Sequence, residues 1–197
     1  MIIDRESGWI EGVRRVDSPN CDDRPDAEDL GLIVVHGISL PPGEFGGAWI
    51  DRLFCNDLPP DAHPYFATIE GLKVSAHVLV DRAGGLTQFV PFRRRAWHAG
   101  ASEYRGRFAC NNFSVGIELE GADEVPYTQA QYDALAAVIK ALRRAYPKLR
   151  RAEVVGHSDI APGRKTDPGP AFDWDRLTKL LAVRARLRPK RARGGGR

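Results

Sequence analysis

The tightest constraint in this chain is a run of four apolar residues, Leu32-Ile33-Val34-Val35, that ends on His36. Three of the four are β-branched and favour the pleated conformation, and an unbroken apolar run implies burial on both faces. The segment therefore reads as a strand inside a sheet, carrying a histidine at its end. Residues 74–80 and 86–90 are β-type runs separated by Asp81 to Gly85, which predicts a hairpin. Residues 113–119 alternate, with Ser114, Gly116 and Glu118 on one face and Val115, Ile117 and Leu119 on the other. Val154-Val155 forms a short strand that delivers His157. Between these last two strands, Thr128 followed by Gln131 is a capping-box pattern. Tyr132, Leu135, Ala136, Ile139, Leu142 and Tyr146 then recur at helical spacing until Pro147. A last helix starts near Asp173, with Trp174, Leu177, Leu180 and Leu181 on its apolar face. The order β, ββ, β, α, β, α predicts a single α/β domain (α+β in some schemes), a central mixed β-sheet flanked by α-helices. Residues 13–30 read as an irregular arm and 93–112 as a turn-rich stretch. Residues 39–72, with Pro41-Pro42-Gly43, Gly46-Gly47 and Pro59-Pro60, read as a long insertion with short helices near 48–54 and 64–72. Insertions of that length often form binding walls.

Charge narrows the class of partner. The net charge is +3, but seven basic residues and no acidic ones lie in 184–197, and subtracting seven leaves −4 for the rest. A mildly acidic body argues against a nucleic-acid groove in the domain. The expected division is a domain at 1–183 and a basic, unstructured tail at 184–197. No apolar run approaches the roughly 18 residues of a membrane helix. The first twelve residues carry Asp4, Glu6 and Glu11 and lack the apolar core of a signal peptide, so the expected compartment is the cytoplasm. Cys21, Cys55 and Cys110 are odd in number and far apart, and read as free thiols. No specific nucleic acid and no membrane are expected as partners, and the expected assembly is a monomer.

Two imidazoles and a carboxylate stand out. His36 and His157 close strands, and Asp167 follows ten residues after His157, inside Arg164-Lys165-Thr166-Asp167-Pro168. These are ligand types that catalytic zinc accepts, three from the protein with a position left open. Two neutral histidines and one aspartate would leave a site charge of about +1, enough to polarise a carbonyl. Histidines at strand ends are also common structural residues, and residue types alone leave both readings open. Glu118 lies mid-strand in an apolar run, where a carboxylate needs a partner or a cleft. It reads either as a general base or as part of a solvent-facing sheet surface shared with Glu120. Lys165 reads as an oxyanion partner or as a surface charge. His77, Trp97 and His98 are candidates for a substrate cleft, Trp97 as a platform for a sugar ring or as core packing.

The segments VVHGISLPPGEFGG, VSAHVLVDRAG, RAWHAG, NNFSVGIELEG, YTQAQYDALAAVIKAL and GHSDIAPGRKTDPGPAFDW resemble, in the same order over residues 13–181, the AmpD-type N-acetylmuramoyl-L-alanine amidases. These belong to the wider amidase and peptidoglycan-recognition-protein superfamily. The resemblance implies that fold, a Zn2+ cofactor held by His36, His157 and Asp167, a catalytic acid at Glu118 and a catalytic cation at Lys165. Substrate contacts are expected at His77, Trp97, His98 and Ala161. The resemblance further implies an anhydro-muropeptide substrate, cut between N-acetylmuramic acid and L-alanine during peptidoglycan recycling. A phage or secreted lytic amidase and a non-catalytic peptidoglycan-binding module are the alternatives. Departures from the family pattern are Gly37 for a frequent asparagine, Lys73 and Ala109 for frequent arginines (with Arg105 or Arg107 as substitutes), Ser158 for cysteine and Gly163 for aspartate.

Overall fold

The computed structural model describes residues 1–183. The segment 184–197, and with it the expectation of an unstructured tail, lies outside the described residues. Among the described residues there are ten strands: β1 (Arg14–Arg15), β2 (Cys21–Asp23), β3 (Leu32–Ile38), β4 (Val78–Val80), β5 (Leu86–Gln88), β6 (Arg94–Ala96), β7 (Glu103–Tyr104), β8 (Arg107–Phe108), β9 (Ser114–Glu120) and β10 (Glu153–Gly156). The α-helices are α1 (Trp49–Phe54), α2 (Pro64–Thr68), α3 (Gln129–Ala145), α4 (His157–Ile160) and α5 (Trp174–Ala182).

Six strands form one sheet in the order β1-β5-β4-β9-β3-β10. It is mixed, since only the β4–β5 hairpin pairs antiparallel. The apolar run at 32–35 is paired on both sides, by β9 and β10, and β3 continues through His36 to Ile38. The histidine therefore sits within the strand rather than at its end. Odd-numbered β3 and β9 residues, Ile33, Val35, Val115, Ile117 and Leu119, join the main core with Tyr132, Leu135, Ile139 and Leu142 of α3 and Leu177 of α5. The opposite face carries Leu32, Val34 and His36 in register with Ser114, Gly116 and Glu118. The period-2 alternation of both strands thus assigns one face to the helices and the other to the site.

Three segments differ from the sequence expectation. The run at 74–80 yields a strand only from Val78, because Ser75 N donates to Trp97 O (3.0 Å), which draws the earlier backbone away from the sheet. The arm at 13–30 contributes β1, parallel to β5, and β2, antiparallel to β6. The stretch at 93–112 supplies β6 and the β7–β8 hairpin. These edge pieces have no apolar period. Instead, ion pairs such as Arg95 with Asp22, and Arg94 with Asp23 at 3.4 Å, accompany the β2–β6 pairing. Among the described residues no helix is long and apolar enough to cross a membrane.

The capping box at the start of α3 is formed. Thr128 Oγ1 accepts from Gln131 N (3.1 Å), and Gln131 Oε1 accepts from Thr128 N (3.1 Å). Gln131 Nε2 also donates to Glu120 O (2.8 Å), and Thr128 Oγ1 donates to Arg82 O (2.8 Å). The cap thereby ties the helix to the end of β9. Thr128→Ala is expected to destabilise the fold by about 1–2 kcal/mol, read as a lower urea midpoint at unchanged m-value.

Candidate active site and metal centre

His36 comes from β3, while His157 begins α4 directly after β10, the strand paired on the other edge of β3. Asp167 is folded back onto that helix by its own backbone, with Ser158 N donating to Asp167 O (3.0 Å). The result is convergence. His36 Nδ1 and His157 Nδ1 lie 3.0 Å apart, and Asp167 Oδ2 is 3.2 Å from the first and 3.1 Å from the second. Zinc bonds of about 2.0–2.1 Å in a tetrahedron separate neighbouring ligand atoms by roughly 3.3 Å. The three donors thus need to open by only a few tenths of an ångström to hold the ion. Among the described residues no fourth His, Cys, Asp or Glu joins the set.

Glu118 stands directly across from His36 in the β3–β9 register, and its Oε2 is buried without a hydrogen-bond partner. Burial, reinforced by the Asp167 charge and opposed by Lys165, pushes its carboxyl well above the ordinary range. Burial also pushes the His36 imidazole down to about 4, so it is neutral and able to ligate over the physiological range. For Asp167, burial raises proton affinity, but contacts with His157 and His36 outweigh it and hold the carboxyl below the usual range. His157, Asp167, Glu118 and Lys165 line a cleft of about 520 Å³. Its outer wall comes from the 39–72 insertion, including Leu40, Tyr65, Ile69 and Leu72.

Of the four expected substrate contacts, the structure brings only His98 to this cleft. His77 is fully buried, its Nδ1 accepting from Gly116 N (3.0 Å) and its Nε2 facing Arg94 O (3.1 Å). Trp97 is half-buried and bonded through its backbone to Ser75. Ala161 is buried at the end of α4, where its carbonyl accepts from Arg164 N (3.1 Å) and Lys165 N (3.0 Å). Arg105 and Arg107 are engaged with Glu153 and Asp29. Sequence reasoning did not find the apolar wall residues individually, because nothing in their spacing distinguishes them from ordinary loop and helix packing.

A donor set of three, with an unpartnered carboxylate beside it, is the arrangement of a catalytic rather than a structural zinc centre, and it places the protein among the metal-dependent hydrolases. The family described as N-acetylmuramoyl-L-alanine amidase matches residues 27–170. The 1,6-anhydro-N-acetylmuramyl-L-alanine amidase AmpD of Escherichia coli (strain K12) is 59% identical over 177 residues, covering 90% of this chain and 96% of that one. A crystal structure of a selenomethionine AmpD derivative superposes with a TM-score of 0.88 at 57% identity, covering 92% of this chain and 99% of that one. The E. coli amidase AmiD, in complex with the substrate anhydro-N-acetylmuramic acid-L-Ala-D-γ-Glu-L-Lys, superposes at 0.56 with 30% identity, covering 81% of this chain and 60% of that one. The chain belongs to the N-acetylmuramoyl-L-alanine amidase family, and within it to the AmpD type.

The raised carboxyl of Glu118 has a consequence for stability. Its folded pKa lies above its unfolded value, so the native state binds the extra proton and stability falls as pH rises above the unfolded pKa. Glu118→Gln should therefore stabilise the metal-free protein at pH 7 by about 1–3 kcal/mol, with the gain shrinking toward pH 4. Thermal unfolding of both proteins in chelator across that pH range measures it.

Proposed function

We propose that this chain hydrolyses the amide between the lactyl carbonyl of (1,6-anhydro)-N-acetylmuramic acid and the L-alanine of a stem peptide, with zinc as cofactor, in cytoplasmic recycling of peptidoglycan fragments. The observation that carries this reading is the buried, unpartnered Oε2 of Glu118, in register with one member of a three-donor metal cluster at the cleft. The substrate assignment is supported by the activity named for the AmpD relatives and by the muropeptide held in the AmiD complex. The reading takes the protein to be monomeric and to have no nucleic-acid or membrane partner.

His36, His157 and Asp167 would hold the metal, since their Nδ1, Nδ1 and Oδ2 atoms are the ones that converge. Zinc in that set supplies Lewis acidity, polarising an amide carbonyl and making water more acidic. Glu118 takes a proton from the attacking water as the new C–O bond forms. It then delivers that proton to the alanine nitrogen as the C–N bond breaks, leaving a neutral amine and a carboxylic acid. Once ionised, a carboxyl of raised proton affinity is the stronger base toward water, and the positive charge of a bound metal would favour that ionised form. Lys165 lines the same cleft and offers its ammonium to the oxyanion that develops on the carbonyl oxygen. The wall formed by Leu40, Tyr65, Ile69 and Leu72 gives the sugar and the first peptide residues an apolar surface.

Glu118→Gln is expected to lower kcat by about 10²–10⁴, and Lys165→Ala by about 10²–10³, each with one zinc still bound per chain. Near wild-type turnover in either variant would remove that residue's role. Mass spectrometry of products from a soluble anhydro-muropeptide should show free peptide and 1,6-anhydro-N-acetylmuramic acid, and neither in the presence of a chelator. Faster release from intact wall than from the soluble substrate would favour the lytic alternative instead.

A further inference from the structure

Beneath the metal ligands lies a chain of buried polar groups that the proposed chemistry does not use. His36 Nε2 is 2.9 Å from His98 Nδ1, His98 Nε2 is 3.1 Å from Ser114 Oγ, and Ser114 Oγ is 2.6 Å from the carbonyl oxygen of Cys110. The polarity of this chain follows from its far end. A carbonyl carries no hydrogen, so Ser114 must donate to Cys110. Ser114 then accepts from His98 Nε2–H, which leaves His98 Nδ1 bare. A bare His98 Nδ1 in turn accepts from His36 Nε2–H, and the lone pair of His36 is left on Nδ1, the atom that faces His157 and Asp167. We propose that His98 and Ser114 are positioning residues that fix the tautomer and ring orientation of His36 for metal binding, with the relay anchored on a backbone carbonyl remote from the metal.

The surroundings are built to hold His98 in this place. Gly116 lies mid-strand in β9, and a Cβ there would come within 2.4 Å of His98 Cγ and 2.6 Å of its Nδ1. The glycine is therefore a seat for the imidazole. Asn111 Oδ1 accepts from both His98 N (3.1 Å) and Ala99 N (2.8 Å), pinning the backbone that carries the ring. The adjacent carbonyl of Ala99 lies 3.4 Å from His157 Nε2 and is held by Arg164 Nη2 at 2.7 Å. One short segment thus faces the outer nitrogens of both metal-ligating histidines. Outer partners of ligating histidines commonly contribute about 10–100-fold to metal affinity.

The inference rests on the metal-site reading of His36, His157 and Asp167, and the test separates the two. Zinc dissociation constants are measured by competition with a chromophoric chelator for the wild type and for His98→Leu, His98→Asn, Ser114→Ala and Gly116→Ala. Thermal unfolding of each metal-free protein is recorded alongside. His98→Leu keeps volume but removes the acceptor, and should weaken zinc about 10–100-fold. His98→Asn places an amide oxygen where Nδ1 stood and should recover most of that loss. Ser114→Ala should weaken zinc less than His98→Leu, and Gly116→Ala should resemble His98→Leu by displacing the ring. Independently of any variant's folding, long-range ¹⁵N–¹H spectra of the metal-free wild type should show His36 and His98 both protonated at Nε2. Wild-type affinity in His98→Leu, or a proton on His36 Nδ1, overturns the inference while leaving the metal site standing. A wild type that binds no zinc overturns both.

Discussion

Two seven-residue strands, β3 and β9, run parallel with His36 directly across from Glu118, and the remaining geometry depends on that register. Side chains alternate along both strands, so this single pairing sends Ile33, Val35, Val115, Ile117 and Leu119 into the helix-covered core. The same pairing sends His36, Glu118, Gly116 and Ser114 to the opposite face. A slip of one residue would exchange the two sets and bury the polar groups under α3. The apolar face therefore enforces the position of the catalytic face. The metal donor, the carboxylate, the glycine seat and the hydroxyl of the relay are all ordered by hydrophobic burial on the other side of the sheet.

Burial also sets the electrostatics. The imidazoles of His36, His77 and His98 are all driven toward the neutral form, the state in which one ring nitrogen donates and the other accepts or ligates. The same burial drives Glu118 toward its neutral, protonated form, in its case by raising the pKa, and its Oε2 has no hydrogen bond. A carboxylate so placed is unfavourable for the fold, and a centre of positive charge beside it offsets that cost. The raised proton affinity of Glu118 and the fitness of the site for a cation therefore share one cause, the removal of water from around its carboxyl.

Much of this was legible in the residues. The apolar run before His36, the alternation at 113–119, the capping box at Thr128 and the apolar face of α5 all have local periods that survive into the fold. The metal ligands were visible as candidates, and the ordered motifs singled them out. The expected substrate contacts were less legible. His77 and Trp97 sit in segments without a period, and their orientation depends on long-range bonds to Gly116, Arg94 and Ser75. The edge strands in 13–30 and 93–112 were invisible for a related reason, since ion pairs and partner backbones rather than hydrophobic patterning accompany their pairing.

By itself the sequence determined the central strands and the two long helices, which face of each would meet the core, and which residue types were available to bind a metal. Those properties follow from side-chain shape and polarity at short separation along the chain. Only the tertiary structure decided that His36, His157 and Asp167 share one point, and that Glu118 faces a cleft and not bulk solvent. It alone decided that His98 rests on Gly116 beneath a metal ligand. Each of these rests on groups 10 to 131 residues apart being brought within about 3 Å, or on the water that folding removes between them, and neither is encoded in any local window.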